Sequence, residues 1–239
     1  GNSFNNMAKS LEKIEENRRN LIANISHDLR SPMTSIRGFI EGMIDGTIPE
    51  DKREHYLNIV LDESNRLIKM TNELLELGNM QQGSLEIKKE AFELNETIRR
   101  KLVAYEKGIT EKKLDVVFSM FEEKTFVLSD QILLERVLSN LMDNAVKFTP
   151  EKGSIEIRTS TKEGRIIVEI TNTGKSISSE ELNRVWERFY KGDASRGLYK
   201  GGYGLGLAIV REIISQLDEN IWVSGGEDYV KFTFTIKKA

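Results

Sequence analysis

Apolar residues in the first third of the chain recur every three, four or seven positions, which is the spacing of one face of an α-helix. One series occupies Leu11, Ile14, Leu21, Ile25, Leu29, Ile36, Ile40 and Ile44. After the turn-forming segment 45–49, a second series occupies Tyr56, Ile59, Val60, Leu67, Met70, Leu74 and Leu77. Two long helices with a short connection predict an antiparallel hairpin, whose single apolar seam a second copy would cover in a four-helix bundle.

The pattern changes after the polar segment 81–84, which we interpret as a hinge. Short runs of β-branched and apolar residues then alternate with helical patterns. The predicted strands are 85–88, 114–118, 126–128, 155–159, 166–170, 221–223 and 230–236. The predicted helices are 94–105, 131–147, 179–188 and 205–217. This alternation predicts an α+β sandwich, with helices over one face of a mixed sheet.

Composition excludes several classes of function. The 239 residues carry a net charge of −3, so no basic excess indicates a nucleic-acid partner. Cysteine is absent, which excludes disulfides, zinc sites built on thiolates and thiol catalysis. With 38% hydrophobic and 31% charged residues a globular chain is expected, and no apolar run is long enough to cross a bilayer.

His27 is one of two histidines and stands in the segment SHDLRSP, residues 26–32. It is two positions from the seam residues on either side, so its imidazole is expected to face outward. Pro32 lacks an N–H and leaves the Asp28 carbonyl without its helical donor, so a kink is expected one turn after the histidine. Ser31 is four residues from His27 and shares its face. A surface histidine alone is more often without function, and the mid-helix proline favours the functional interpretation.

A glycine-rich run, GGYGLGL at 201–207, leads directly into an amphipathic helix. Glycine lets backbone N–H groups approach a phosphate, and a helix N-terminus favours an anion. Asn140 and Asn144 lie four residues apart, with Lys147 one turn further on the same face. Amide oxygens suit Mg²⁺ and a lysine suits phosphate. A capped loop and a polar helix face are the alternatives for these two motifs when each is taken alone.

Together the motifs resemble those of the histidine kinase family over nearly the whole chain. SHDLRSP is similar to the phosphoacceptor box, NLMDNAVKF to the N box, NTGKSI to the first glycine box, WERFYK to the F box and GYGLGL to the second glycine box. The five motifs occur in the family's order and spacing. Residues 3–7 also resemble the end of a HAMP signal-relay helix. That implies a membrane-anchored sensor, of which this chain is a cytoplasmic portion at a bacterial inner or plasma membrane.

The resemblance implies a domain organisation and a function. Residues 1–10 would end the HAMP-like helix, 11–83 would form a dimerisation and histidine phosphotransfer domain, and 84–239 would form a catalytic ATP-binding domain. The expected fold class is α+β: a helical hairpin in a dimeric four-helix bundle, followed by an α/β sandwich of the histidine kinase and Hsp90-like ATPase type. The implied function is ATP-dependent autophosphorylation and transfer to an aspartate of a response-regulator receiver domain.

In the phosphoacceptor box, the resemblance implies that His27 accepts the phosphoryl group. Asp28 would orient the imidazole and take up its proton. Ser31 stands where family members usually have threonine or asparagine to support dephosphorylation of the regulator. Serine keeps the hydroxyl of threonine without its methyl group, so a phosphatase activity is part of the expectation.

In the ATP-binding domain, the resemblance implies that Asn144 holds Mg²⁺, with Asn140 nearby and Lys147 on phosphate. Asn172 and Gly174 would line the adenine pocket. The other nucleotide-binding residues implied by the resemblance are Ile177, Tyr190, Lys191, Gly202, Gly204, Leu205, Gly206 and Leu207.

Four departures from the family pattern keep other functions open. Asn172 stands where aspartate is usual, Ser176 where glycine is usual, and Lys191 where arginine is commoner. Lys231 stands where a small hydroxyl residue often meets the adenine side. The departures at Asn172 and Lys231 motivate a dimeric signalling scaffold that binds nucleotide weakly and transfers little, although the intact His27, Asn144 and glycine-rich lid argue against it. A related ATPase of the chaperone or mismatch-repair type is disfavoured because it needs no phosphoacceptor histidine.

Overall fold

The computed structural model describes residues 2–81, 86–175, 177–192 and 202–239. The chain forms two compact units, one ending at Leu75 and the other running from Glu76 to Ala239. In the described part of the chain, no helix combines the length and the apolar character needed to cross a membrane. The hinge predicted at 81–84 lies outside the described residues except for its first position, which is helical.

The first unit is the predicted helical hairpin. Helix α1 spans Asn2–Ile44 and continues through Pro32, and helix α2 spans Arg53–Gln81 after a 3₁₀ turn at Glu50–Lys52. The rings of Phe39 and Tyr56, 5.1 Å apart, pack one helix against the other. At the turn, Ile48 N donates to Gly42 O at 2.7 Å, and a Cβ on Gly42 would lie 3.2 Å from the Ile48 side chain. The glycine therefore permits the close approach that closes the hairpin.

A stripe of large aliphatic side chains stays exposed along both helices of the hairpin. On α1 the stripe comprises Ile22, Met33, Ile40 and Ile44, and on α2 it comprises Leu57, Leu61, Ile68 and Leu75. Their exposure runs from 39% at Ile40 to 80% at Ile44. Successive members are separated by 4, 7 or 11 positions, which keeps them on one side of each helix. We call this set the aliphatic stripe.

The second unit is a five-stranded sheet with helices over one face, which confirms the predicted α+β class. Its helices are α3 Leu94–Ala104, α4 Glu106–Glu111, α5 Gln131–Phe148, α6 Ser179–Arg184 and α7 Gly206–Gln216. Its strands are β1 Glu90–Glu93, β2 Asp115–Ser119, β3 Phe126–Ser129, β4 Ser154–Lys162, β5 Arg165–Thr173, β6 Ile221–Gly225 and β7 Tyr229–Lys237. The order is β2-β4-β5-β7-β6, with β2 and β4 parallel and the other pairs antiparallel; β1 and β3 form a separate antiparallel pair.

The core lies between the sheet and helices α5 and α7. Every second residue of β5 points to the same face, and Ile166, Val168, Ile170 and Asn172 are all buried there. Helix α5 packs against both α7 and β5. Because the alternation of buried residues continues to the end of β5, Asn172 lies on the face that the helices cover.

Two predicted element boundaries are wrong. The first strand is Glu90–Glu93 rather than 85–88, because Lys88 N donates to the Asp130 side chain at 2.9 Å instead of joining a ladder. Leu85 itself lies outside the described residues. The predicted helix 179–188 ends at Arg184, after which Phe189 adopts a positive φ of 61° and its N–H donates to Gly204 O.

The last turn of α2 packs within the second unit. Leu77 and Met80 are buried, and the carboxylate of Glu76 accepts two hydrogen bonds from Arg136, at 3.2 and 2.7 Å. Gln216 at the end of α7 donates to Met80 O at 2.8 Å. The end of α2 from Glu76 onward is thus held by side chains of α5 and α7.

Candidate nucleotide site and phosphoacceptor

The candidate site is centred on the side of helix α5 that carries Asn140, Asn144 and Lys147. The helix begins at Asp130, whose side chain accepts from Leu133 N at 3.0 Å and so caps it. Its buried positions lie against the sheet, and Asn140 is among them, 5% exposed. Asn144 and Lys147 are half-buried one and two turns later. The three predicted polar residues therefore form a single row that leads from the core to the surface.

The second glycine box lies directly over that row. A Cβ on Gly206, the first residue of α7, would lie 3.4 Å from Asn140 Oδ1, and one on Gly202 would lie 2.8 Å from Lys147 Nζ. Gly204 has a φ of +73° and a Cβ there would lie 2.6 Å from Tyr190 O. Leu205 is fully buried and Leu207 half-buried, which anchors the start of α7. At Gly204 both the left-handed backbone conformation and the close approach of backbone atoms exclude a side chain.

The first glycine box, at the end of β5, lies beside the end of α5. Asn172 is 5% exposed and its Nδ2 donates to Thr173 O at 3.2 Å. A Cβ on Gly174 would lie 2.9 Å from Phe148 O, so the end of β5 touches the end of α5. Ile177 is half-buried just before Ser178, which caps α6 together with Glu181. Ser176 lies outside the described residues.

The F box contributes two residues at the edge of the glycine segment. Tyr190 is half-buried, and the Arg184 guanidinium lies 4.6 Å from the centre of its ring. Lys191 Nζ lies 5.9 Å from the centre of the Tyr203 ring. The hydrogen bond from Phe189 N to Gly204 O ties this segment to the glycine box. All the nucleotide-binding residues predicted from the sequence are thus described, and they belong to one unit.

The arrangement suits a ligand that carries phosphate groups. Asn140 Nδ2 is buried and has no hydrogen-bond partner among the described residues, which is costly unless a ligand or water accepts from it. The start of α7 has no side-chain cap, so its N–H groups are available to an anion. Among the described residues no group of three or more His, Asp or Glu side chains could hold a metal. A magnesium ion that shares phosphate oxygens needs few protein ligands, and the half-buried amide of Asn144 suits it.

One predicted position is wrong: Lys231 does not meet the adenine side. It pairs with Thr171 across β5 and β7, whereas Asn172 pairs with Val230. Neighbouring residues of a strand point to opposite faces, so Lys231 lies on the face away from Asn172. Its Nζ contacts Glu169 Oε1 at 2.8 Å. The lysine therefore gives no reason to expect weak nucleotide binding.

The phosphoacceptor candidate lies on α1, in the other unit. The His27 side chain is 83% exposed, and its Nδ1 lies 3.2 Å from Asp28 Oδ1. The Asp28 side chain is 17% exposed, so it lies along the helix while the ring projects. Ser31 is exposed and Pro32 is buried. The outward direction predicted for His27 is confirmed, and the contact between adjacent helical side chains is made.

Two residues that the sequence pattern did not single out contact the polar helix. The Tyr105 hydroxyl lies 2.8 Å from Asp143 Oδ1 and 2.9 Å from Ser139 O. Burial, and then the bond to the Asp143 carboxylate, raise the pKa of Tyr105 well above its usual range. Lys112 lies at the other end of the same helix segment, against its last carbonyls. Neither residue stands in a motif, so only the tertiary fold brings them to α5.

Two protein-family models match the chain. Residues 17–83 match the His Kinase A (phospho-acceptor) domain, and residues 129–239 match the histidine kinase-, DNA gyrase B- and HSP90-like ATPase. The first range contains His27, and the second contains the residues of the nucleotide site on α5, β5 and α7. Both halves of the chain are therefore matched by the domain types that their geometry indicates.

Individual proteins that resemble this chain are also histidine kinases. The sensor histidine kinase YclK of Bacillus subtilis is 32% identical over 94% of this chain, which spans 49% of YclK. The catalytic domain of histidine kinase ThkA is 32% identical, with a TM-score of 0.58; the match covers 63% of this chain and 96% of that structure. ThkA in complex with the response regulator protein TrrA is 30% identical, with a TM-score of 0.76, over 92% of this chain and 61% of that one. This chain therefore belongs to the sensor histidine kinases of two-component systems.

Proposed function

We propose that this chain phosphorylates its own His27 with ATP and passes the phosphoryl group to an aspartate of a response regulator. The observation that carries the proposal is the exposed imidazole held by its neighbouring carboxylate. A reactive nucleophile must be accessible to the second unit and to a partner protein, and it must present the correct tautomer. The 83% exposure of the His27 side chain supports the first condition, and the contact of Nδ1 with Asp28 supports the second.

The chemistry requires little of the protein beyond positioning and charge. With the Nδ1–H donated to Asp28, the lone pair of His27 lies on Nε2 and can attack the γ-phosphorus of ATP. The Nε2–P bond forms as the bond from the γ-phosphorus to the bridging oxygen breaks, and ADP leaves. Asp28 takes up the proton from Nδ1 as the ring gains positive charge. In the second transfer, a regulator carboxylate attacks phosphorus and the N–P bond breaks.

In the proposed nucleotide complex, the polar row on α5 binds the phosphates. Lys147 supplies a positive charge, and Asn144 would hold Mg²⁺, which neutralises phosphate charge when bound. The amide of Asn140, which no described residue accepts from, donates to the ligand or to a water on it. Asn172, buried beside Gly174, accepts from the adenine amino group through its amide oxygen. The glycine segment and the start of α7 donate backbone N–H groups to the phosphates.

A phosphorylation assay tests the proposal with a matched control. The chain is incubated with Mg²⁺ and ATP labelled on the γ-phosphate, beside a His27→Gln and a His55→Gln variant. His55 is the second of the two histidines, also on the hairpin and exposed. We expect acid-labile, base-stable label on the wild type and on His55→Gln, and none on His27→Gln. Label that survives in His27→Gln would refute the assignment of the acceptor.

We propose a response regulator as the partner. The solved complex of ThkA, with the response regulator TrrA, supports this class of partner because that structure resembles this chain over 92% of its length. Chase of the labelled chain with a receiver domain should move label from the histidine to an aspartate. Loss of the label as free phosphate, with none on any receiver domain tried, would argue against this step.

We also propose that the chain acts as a homodimer. The aliphatic stripe stays exposed in the single hairpin, and its spacing matches that of a helical bundle. A second copy related by a two-fold axis would bury the same stripe from both sides. Each leucine that is buried in this way contributes about 1.5–3 kcal/mol, and symmetry counts it twice.

Leu61→Lys tests the dimer, with Asp62→Lys as the control. Both residues are exposed on α2, but Asp62 is not in the aliphatic stripe. We expect Leu61→Lys to raise the dimer dissociation constant on the order of a hundredfold, and Asp62→Lys to change it little, measured by sedimentation equilibrium. A wild-type chain that is monomeric at tens of micromolar would contradict the proposal.

Two further features of the protein stay predictions. Ser31 keeps a hydroxyl on the His27 face, and its replacement by alanine should reduce dephosphorylation of the regulator without reducing autophosphorylation. Membrane anchoring of the full-length protein rests on the HAMP-like segment 3–7, and fractionation of cells expressing the full-length protein tests it.

A further inference from the structure

Three hydrogen bonds from its side chain join Lys112 to the C-terminal end of α5. Its Nζ donates to the carbonyl oxygens of Val146, Lys147 and Thr149 at 2.7, 2.8 and 3.0 Å. An ammonium group carries three N–H donors, and three acceptors surround it here. The Lys112 backbone is itself fixed, because its N–H donates to Gly108 O and its carbonyl accepts from Lys152 N. The cation is therefore held at a defined position on the helix end.

This helix end lies next to the phosphate-binding residues. Lys147 is in the last turn of α5 and Asn144 is one turn before it. The last carbonyls of a helix carry a partial negative charge, equivalent to about half an elementary charge, which disfavours a nearby anion. A polyphosphate that binds Asn144 and Lys147 thus approaches the unfavourable end of α5. A lysine on those carbonyls offsets that charge.

We propose that Lys112 is a positioning residue that sets the affinity of the site for the phosphate groups of ATP. It neutralises the negative end of α5 and fixes the backbone from which Lys147 extends. The inference rests on the proposed nucleotide site. It implies that the contribution of Lys112 grows with the charge of the ligand, because its effect on the bound phosphates is electrostatic.

The test compares ATP, ADP and AMP on the wild type and on Lys112→Met, which keeps the length of the side chain and removes its charge. Lys107→Met is the control, since Lys107 lies on α4, is 88% exposed and pairs only weakly with Glu111, 3.9 Å away. For Lys112→Met we expect a loss of affinity of about tenfold for ATP, about threefold for ADP and less than about twofold for AMP. Lys107→Met should leave all three affinities within about twofold of the wild type.

The outcomes separate this inference from a purely structural role. Equal losses for ATP and AMP in Lys112→Met would overturn it, because a loosened helix end would weaken every nucleotide alike. Should Lys112→Met not fold, Lys112→Arg serves instead: it keeps the charge, so the ratio of ATP to AMP affinity should stay within about twofold of the wild-type ratio. A fall in that ratio would overturn the inference. A wild-type chain that binds none of the three nucleotides would refute the proposed function itself.

Discussion

Substituting Gly204 with alanine should weaken ATP binding, because the new Cβ adds a steric clash at the nucleotide site to the cost of the left-handed backbone conformation. Gly204 has a φ of +73°, and a Cβ there would lie 2.6 Å from Tyr190 O and 2.8 Å from Phe189 C. Both atoms belong to the backbone, so neither can rotate away as a flexible side chain would. The Gly204 carbonyl also accepts from Phe189 N at 2.9 Å, so the segment carrying Tyr190 must move when the glycine moves.

Gly164 separates the two contributions. It lies in the turn between β4 and β5 with a φ of +75°, and a Cβ there would meet no atom of the described residues within 4 Å. Gly164→Ala should therefore lower the free energy of unfolding by about 1–2 kcal/mol through the left-handed conformation alone. Gly204→Ala carries the same conformational cost and a steric cost of about 1–3 kcal/mol. The steric cost arises where the F box contacts the second glycine box.

Urea unfolding and titration calorimetry with ATP measure the two effects on each variant. We expect Gly164→Ala to bind ATP as the wild type does despite its lower stability. For Gly204→Ala we expect ATP affinity to fall about fivefold to a hundredfold, because about 1.4 kcal/mol of steric cost borne by the site corresponds to a factor of ten. Equal ATP affinity in the two variants would refute the reasoning, since the clash would then not reach the site.

Three other substitutions are predicted from contacts of the second unit. Tyr105→Phe should lower stability by about 1–2 kcal/mol near neutral pH. Because the folded state raises the pKa of Tyr105, the phenol stabilises the fold below the ordinary tyrosine pKa of about 10, and this is lost as the pH rises above that value. Urea titrations at pH 8 and above pH 10 should show a steeper loss for the wild type than for Tyr105→Phe. Lys231→Thr should leave ATP affinity unchanged in calorimetry, since the lysine pairs with Glu169 on the other face; a large gain in affinity would contradict that placement. Asp130→Ala removes the cap of α5 and the acceptor of Lys88 N, and should lower the free energy of unfolding by about 1–2 kcal/mol, measured as a lower urea midpoint; an unchanged midpoint would contradict its role as a cap.

The periodic parts of the fold could be predicted from the sequence. The hairpin and α5 follow from runs of apolar residues at helical spacing, which need no long-range information. Strand β1 could not be placed in the same way. Its register is set by β3, with Phe92 opposite Val127, and by the side chain of Asp130. Contacts between residues far apart in sequence decided it.

Some residues of the candidate site could likewise be predicted from local spacing, and others could not. Asn140, Asn144 and Lys147 share a face whatever the tertiary fold, so their row could be predicted from spacing alone. Lys231 was misplaced because a shift of one position along a strand reverses the face of the side chain. Lys112 reaches α5 only through the turn after α4, and no local pattern carries that information.

The last turn of α2 has a consequence for dissecting the protein. Leu77 and Met80 are buried within the second unit, and Glu76 forms a two-pronged ion pair with Arg136. A truncated ATP-binding fragment that starts at residue 84 would lack all three, exposing the apolar surface they cover and leaving Arg136 without that carboxylate. A fragment that starts at Glu76 keeps them. The shorter fragment should therefore aggregate or unfold at lower temperature, and the segment that joins the two units is part of the folded body of one of them.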